Sequence, residues 1–366
     1  MENLTGKVLI LGGYGNFGKR IARALAESGM PVVIAGRDAS RAHAGAAELP
    51  VGLAEAAVFD VRHDLHQRLS EIRPAAVVNT CGPFQTSDYR VAEACLDSGT
   101  HYIDLADGRD FVTGISALDA RASARDVAII SGASTVPGLS SAVIEHFRPQ
   151  FSEFHALRFG ISPGQKAERG LATTQGIMTY VGRPLRAFAG DDAPSFGWQG
   201  VYRQSFPVLG KRWMANCDVP DLDLLPEKYG FRSIRFSAGL ELAPLHLGLW
   251  ALSWLIRIGV SLPLPRHAAW LLKASNLFDR FGSADGGMFM ILNGLDNEGR
   301  RLQRSWFIVA RGGEGPQIPT VPAVILARKA ARGALHVRGA SACAGLVTLD
   351  EYLRELARYP IETFSE

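Results

Sequence analysis

Short apolar runs alternating with helical periodicity fill the N-terminal part of the chain. Val8-Leu9-Ile10-Leu11 is an unbroken apolar run with β-branched residues, the pattern of a strand buried in a parallel sheet. After it, Ile21, Ala24 and Leu25 recur on one helical face. Further strands are predicted at residues 31–35, 56–61, 74–80, 101–105 and 127–130. Between the fourth and fifth, Val91 to Ser98 is helical, with Gly99 as its stop. Strands alternating with helices imply a parallel, doubly wound sheet. Ligands in such sheets bind outside the carboxyl ends of the strands.

Beyond about residue 150 the pattern changes. Phe154 to Ile161 reads as a strand and Gly170 to Tyr180 as a helix. Residues 190–235 are rich in Gly, Pro and aromatics and show no clear period. Gly287 to Leu295 and Arg300 to Arg311 are strand-like and are joined by Asp296-Asn297-Glu298-Gly299, which reads as a hairpin. Pro322 to Arg332 is helical, and Thr348-Leu349-Asp350-Glu351 resembles a capping box before a last helix to Arg358. The expected fold class is α/β. A doubly wound parallel sheet occupies residues 1–150, and an α+β domain with a mainly antiparallel sheet occupies 151–320. Residues 321–366 are expected to be C-terminal helices that return to the first domain.

The turn after the first strand carries Gly13-Tyr14-Gly15-Asn16-Phe17-Gly18. Strand, glycine turn and helix in that order are the context of a dinucleotide-binding fingerprint. Gly13 would allow the tight turn, Gly15 would admit a pyrophosphate, and Gly18 would let helix and strand pack closely. The phosphates would rest on N–H groups at the helix N-terminus, favoured by the helix dipole. An NAD site usually ends its second strand in an acidic residue that binds the ribose 2′-OH. Here Arg37 follows Gly36, with Arg41 one helical turn on, and two guanidinium groups suit a 2′-phosphate. Asp60 and Val61 fall where an adenine ring would lie, or Asp60 caps the next helix. Thr80-Cys81-Gly82-Pro83, at the end of the fourth strand, suits the crevice beside the nicotinamide ribose, or forms an ordinary turn before a helix that starts near Ser87.

Composition narrows the classes. The chain has 366 residues, enough for two domains. A formal net charge of +3 and no basic run argue against nucleic acid. The four cysteines, Cys81, Cys95, Cys217 and Cys343, form no CxxC pair, so neither a zinc site, nor any other metal, nor a disulfide framework is expected. A reduced cytoplasmic setting follows, and the N-terminus has no signal-peptide pattern. Leu242 to Ile256 is free of formal charge. A spanning helix needs about 20 apolar residues, and extending this one would bury Arg257 and meet Pro263 and Pro265. It is therefore read as a buried helix, or as one that lines an apolar pocket or lies on a membrane surface with Trp250 and Trp254 on one face.

The chain resembles the saccharopine dehydrogenase-like oxidoreductases, which share the saccharopine reductase NADP-binding domain. The resemblance rests on Gly12-Gly13-x-Gly15-x-x-Gly18, Gly36-Arg37 and Asn79-x-Cys81-Gly82-Pro83-Phe84. It also rests on Val91-x-x-Ala94-Cys95-x-x-x-Gly99-x-His101-Tyr102-x-Asp104, Gly282-x-x-x-Gly286-Gly287-Met288 and Gly315-Pro316-x-Ile318-Pro319. It implies a Rossmann domain, NADP as cofactor, redox chemistry on a small-molecule substrate, and a second domain for substrate and homodimer contacts. It does not fix the substrate, and the second domain does not map onto the amino-acid pocket of the lysine-pathway enzymes. Hydride transfer to a carbonyl or imine also needs a proton donor. Asp107 and Tyr102 are the catalytic candidates, with Asp104 beside them; Asp107 also reads, and more readily, as the N-cap of the helix starting near Phe111. Arg169 is a candidate anchor for a substrate carboxylate or a surface arginine, and His101 and His246 read as structural. No Tyr-x-x-x-Lys pair follows the fourth strand as in short-chain dehydrogenases. Two other functions stay open: a nucleotide-binding sensor without turnover, and a membrane-associated protein whose Rossmann domain is regulatory.

Overall fold

Val8–Leu11 (β1) is buried at every residue, as the centre of a parallel sheet requires. With it run Val32–Gly36 (β2), Ala54–Val58 (β3), Ala76–Asn79 (β4), His101–Asp104 (β5) and Ala128–Ser131 (β6). These strands are all parallel, in the order β6-β5-β4-β1-β2-β3. The order reverses between β1 and β4, which opens a crevice at their carboxyl ends. The computed structural model describes residues 6–187, 190 and 194–366. Its contacts divide the chain into two units, one of Met1–Leu139 with Gln317–Val347, the other of Ser140–Pro316 with Thr348–Glu366.

The helix Asn16–Glu27 packs its Ile21, Ala22, Leu25 and Ala26 inward. The helix Val321–Ala331 packs against it and against β4 and β5, and is apolar nearly all round, as a helix enclosed in a core must be. β3 begins and ends earlier than its apolar run suggested, because its ladder is set by Val32↔Ala54 through Gly36↔Val58. The helix after β4 starts at Arg90 rather than near Ser87; a short turn of 3-10 helix, Phe84–Thr86, precedes it.

The second unit holds a mixed sheet of Glu153–Ser162 (β7), Tyr202–Phe206 (β8), Gly210–Asn216 (β9), Ser233–Ala238 (β10), Gly286–Leu295 (β11) and Arg301–Ala310 (β12). Two strands come from the end of the chain. Gly339–Ala342 (β13) pairs in parallel with β6 of the first sheet, and Ile361–Ser365 (β14) pairs with β12. The order is β14-β12-β11-β7-β10-β9-β8, antiparallel except between β7 and β10. The β11–β12 hairpin closes on Asp296, whose carboxylate accepts from Glu298 and Arg300 backbone N–H groups at 2.9 and 2.8 Å, with Gly299 at φ +76°. Thr348 and Glu351 form the capping box of the helix Leu349–Leu356.

Residues 190–235, without a readable period, hold β8, β9, the helix Asp221–Tyr229 and the start of β10. Residues 321–366, expected as helices, contribute two strands as well and divide between the two units. Arg212 on β9 is buried and donates to Pro163 O at 3.2 Å, Asp285 O at 3.0 Å and Glu241 Oε1 at 3.4 Å. Glu241 in turn accepts from Gln165 N and Ser283 N at 2.7 and 2.9 Å.

Candidate functional site

Three glycines of the turn after β1 leave no room for side chains. Gly12 has φ +72°, the left-handed conformation that glycine takes at least cost, and a Cβ there would lie 2.7 Å from Thr80 Oγ1. The tight turn is therefore made at Gly12, not at Gly13 as the motif suggested. Gly13 instead lets the turn approach β2, since its Cβ would sit 2.8 Å from Ile34 Cγ2. A Cβ on Gly18 would collide with the Gly12 carbonyl oxygen. Gly15 differs from these three: its Cβ would meet only Gly12 O, at 3.0 Å, and open space beyond. Gly15 is the N-cap of Asn16–Glu27, and no side chain caps that helix. Four N–H groups at a helix start lack intrahelical partners, so an uncapped end facing open space fits a pyrophosphate. Asn16 is turned back along the helix, where its side chain accepts from Arg20; Phe17 beside it is partly buried.

At the carboxyl end of β2, Tyr14 lies across Gly36, where any Cβ would overlap its ring. The Tyr14 hydroxyl accepts from Asp38 N at 3.1 Å, and the Arg41 guanidinium stacks 4.6 Å from the ring centroid. The Asp38 carboxylate is used as a cap, accepting from Arg41 N at 3.0 Å. Arg37 is exposed, and among the described residues neither Arg37 nor Arg41 forms an ion pair. Asp60 accepts from Arg62 N at 3.0 Å, and that bond, with the charges of Arg62 and Arg37, holds its carboxyl below the usual range. It closes the turn 60–64; the N-cap of the next helix is Asp64. Val61 is partly buried at the margin of the core.

The exit of β4 is tied to that of β1. Thr80 Oγ1 donates to Leu11 O at 2.8 Å, and Asn79 Oδ1 accepts from Cys81 N at 3.0 Å. Cys81 is exposed, with Gly82 and Pro83 partly buried behind it. Past β5, Asp107 is partly buried and accepts from Gln85 Nε2 at 3.0 Å; burial pushes its carboxyl above the ordinary range. Asp107 does not cap the following helix, whose N-cap is Gly108.

Tyr102 is placed differently from its expectation. Its ring is 1% exposed within the core, and its hydroxyl accepts from Asn79 Nδ2 at 3.1 Å. A proton donor must reach its substrate, and this ring is closed off from one. Asp104 is also buried, accepting from Gly132 N at 2.8 Å and Ala106 N at 2.9 Å, and burial raises its carboxyl to about 6. Sequence reasoning omitted Gly12, Asn79 and Gln85 from the site. The doubled glycine and the Asn79-x-Cys81-Gly82 motif carried the signal for the first two, whereas nothing local marked Gln85.

In the second unit Arg169 is neither a free anchor nor a surface arginine. It donates to Gln165 O at 2.8 Å and Asn276 Oδ1 at 3.2 Å and pairs with Asp279. His101 Nδ1 accepts from Ala128 N, and the buried His246 Nδ1 accepts from Leu240 N. Among the described residues no group of three or more His, Cys, Asp or Glu could hold a metal ion.

Residues 8–130 match the family described as Saccharopine dehydrogenase NADP binding domain. The N-terminal unit carries a saccharopine dehydrogenase NADP-binding domain. Among solved structures it is similar to saccharopine dehydrogenase (L-Glu forming) from Saccharomyces cerevisiae, at 13% identity and TM-score 0.66, over 99% of this chain and 100% of that one. It also aligns with an amine dehydrogenase from Mycobacterium smegmatis, at 11% identity and TM-score 0.49, over 94% of this chain and 96% of that one. At these identities the likeness to the yeast enzyme speaks for the fold. A search of curated proteins gives no match.

Proposed function

We propose that the protein transfers hydride between NADP(H) and a carbonyl, imine or enoyl group of a small apolar substrate. The observation that carries the choice of cofactor is the end of β2. There Arg37 and the ring-stacked Arg41 form no ion pair among the described residues, and the neighbouring acid, Asp38, is spent as a helix cap. Two such guanidinium groups match a 2′-phosphate. Gly15 and the uncapped helix would hold the pyrophosphate. Asp60 and Val61 would flank the adenine, and Thr80 to Pro83 the nicotinamide ribose. When bound, the nicotinamide supplies or accepts the hydride. The chain's own part is to hold the cofactor and to manage the proton. Asp107 suits the second task, because its buried carboxyl keeps a proton more readily than an exposed one.

Arg169 is engaged by its neighbours, so nothing at that position favours an amino-acid substrate. The homodimer expected from the resemblance and the cytoplasmic setting expected from the cysteines belong to the same proposal, and sedimentation velocity tests the first. Purified protein with NADPH and a metabolite mixture should show depletion of one carbonyl, imine or enoyl compound coupled to NADPH oxidation. Asp107→Asn should then lower the chemical step at least about tenfold with NADPH affinity unchanged. Equal single-turnover rates would remove Asp107 from the reaction. Binding without turnover is the second reading, favoured by the enclosure of Tyr102 in the core. NADPH binding with no oxidation across the mixture would select it.

A further inference from the structure

Two helices of the second unit reverse the usual rule that a water-facing helix turns polar residues outward. On Ala243–Arg257, His246, Leu249, Ser253 and Ile256 face the unit's apolar cluster or are buried. The other side carries Ala251, Trp254 and Leu255, continued by Ile258, all exposed. On Leu264–Asn276, Leu264, Ala268 and Leu271 turn inward. Arg266, Trp270, Lys273 and Leu277, at helical spacing, form the outward stripe. Ile258, Trp270 and Leu277 are 71%, 67% and 76% exposed. Among the described residues most of the exposed large apolar side chains fall between residues 254 and 281. A concentration of this kind marks an interaction surface rather than the scattered apolar exposure normal for a monomer.

Charge identifies what covers it. Within residues 243–281 the cations are Arg257, Arg266, Lys273 and Arg280, and the single acid is Asp279, already engaged by Gln165 and Arg169. Arg266 and Lys273 form no ion pair among the described residues. Arg280 lies over Phe281 of the same surface at 4.6 Å, whereas Arg257, over Trp254 at 4.8 Å, is also held by Gln199 Oε1 at 2.6 Å and the Phe196 ring at 4.0 Å, which leaves Arg266, Lys273 and Arg280 as the cations for headgroups. A second copy docking face to face by two-fold symmetry would set these cations against themselves. An anionic lipid surface meets both needs: phosphate headgroups take the cations, and the headgroup–acyl boundary takes Trp, Leu and Phe. No helix among the described residues is long and apolar enough to cross a membrane, so the segment would lie in the interface.

We propose that the helices Ala243–Arg257 and Leu264–Asn276 dock the protein onto an anionic phospholipid bilayer. The inference is independent of the redox reading. The full chain should float with vesicles of phosphatidylcholine and phosphatidylserine, more weakly with phosphatidylcholine alone, and less as salt is raised. Trp254→Asp with Trp270→Asp should reduce flotation at least about tenfold, because both apolar anchors are lost. Arg266→Ala with Lys273→Ala should reduce it about twenty-five-fold at low salt, at roughly five-fold per cation. NADPH titration and a thermal melt report whether each variant is folded; the paired cation variant keeps the test valid if the tryptophan variant is not. Wild-type protein that stays in the soluble fraction with the mixed vesicles overturns the proposal. So does a wild-type dimer that Trp270→Asp splits into monomers with no vesicle binding, since a second copy would then be the occupant.

Discussion

In the first unit, Arg37 and Arg41 stand at the end of β2 with no ion pair among the described residues, next to a helix start that no side chain caps. In the second unit, Arg212 is enclosed by Ser162, Pro163, Asp285 and Glu241, and Arg169 by Gln165, Asn276 and Asp279. The same side chain holds the structure together in one region and is left uncommitted in the other. A buried cation must be paired and hydrogen-bonded to be tolerated. An exposed one carries no such requirement, so a pair of arginines left without carboxylates beside a glycine cradle is available to a ligand. Partner count thus separates arginines that serve the fold from the two proposed to meet the 2′-phosphate.

Gly15→Val should break this contrast most completely, by filling the one open position of the turn. Cofactor binding should be abolished while circular dichroism still reports a folded chain; retained micromolar binding would mean that the turn only links strand to helix. Arg212→Ala acts in the opposite sense. It removes the only cation paired with Glu241 among the described residues and should destabilise the protein by about 3 kcal/mol in denaturant unfolding, with NADPH affinity of the folded protein unchanged.

Asp221 sharpens the second half of the comparison, because it is a buried acid with an incomplete set of partners. Ser140 donates to one of its oxygens, and the other has no hydrogen-bond partner among the described residues. Burial raises its carboxyl to about 7. The folded form therefore holds this proton where the unfolded chain releases it. The Asp221 contribution falls as pH rises from the ordinary carboxylate range to about 7, by a few kcal/mol, and is level above. Asp221→Asn should remove that slope, so its stability relative to wild type should rise across the same window; parallel pH profiles would refute it. Arg37→Ala is the mildest of the four. A charge-assisted contact to phosphate contributes about 1.5–3 kcal/mol, so NADPH should bind about ten- to a hundred-fold more weakly and NADH almost as before. Equal losses for both cofactors would show that Arg37 does not read the 2′-phosphate.

The sequence made the first unit legible because each of its signals is local. Val8–Leu11 and Ala76–Asn79 are buried throughout and read as strands from their own residues. Gly12 to Gly18 announces its turn by steric exclusion that no other residue type tolerates. β9 and the helix after it resist such reading, because their burial depends on distant partners. Arg212, Asn216 and Asp221 are buried polar residues that break the alternation of an otherwise inward-facing pattern. Their partners, such as Glu241 and Ser140, lie far away in the chain. Pro226 inside the helix Asp221–Tyr229 removes a further local sign. Within the site, the turn and the two arginines were readable for the same reason. The enclosure of Tyr102 and the Gln85–Asp107 contact were not, since both depend on how β4 and β5 lie beside each other.

Gly339–Ala342 closes the β6 edge of the first sheet, and the helix Val321–Ala331 covers β4 and β5. Both are synthesised after β7 to β12 of the other unit. A nascent chain therefore carries six parallel strands with β4 and β5 uncovered on one face and the β6 border unpaired until residues 321–342 are made. An unpaired border is a template for pairing with another chain. A fragment ending at Leu139 would keep that condition permanently. The native protein leaves it only after residues 321–342 have been made, so the sheet is completed late in synthesis although most of its strands come first.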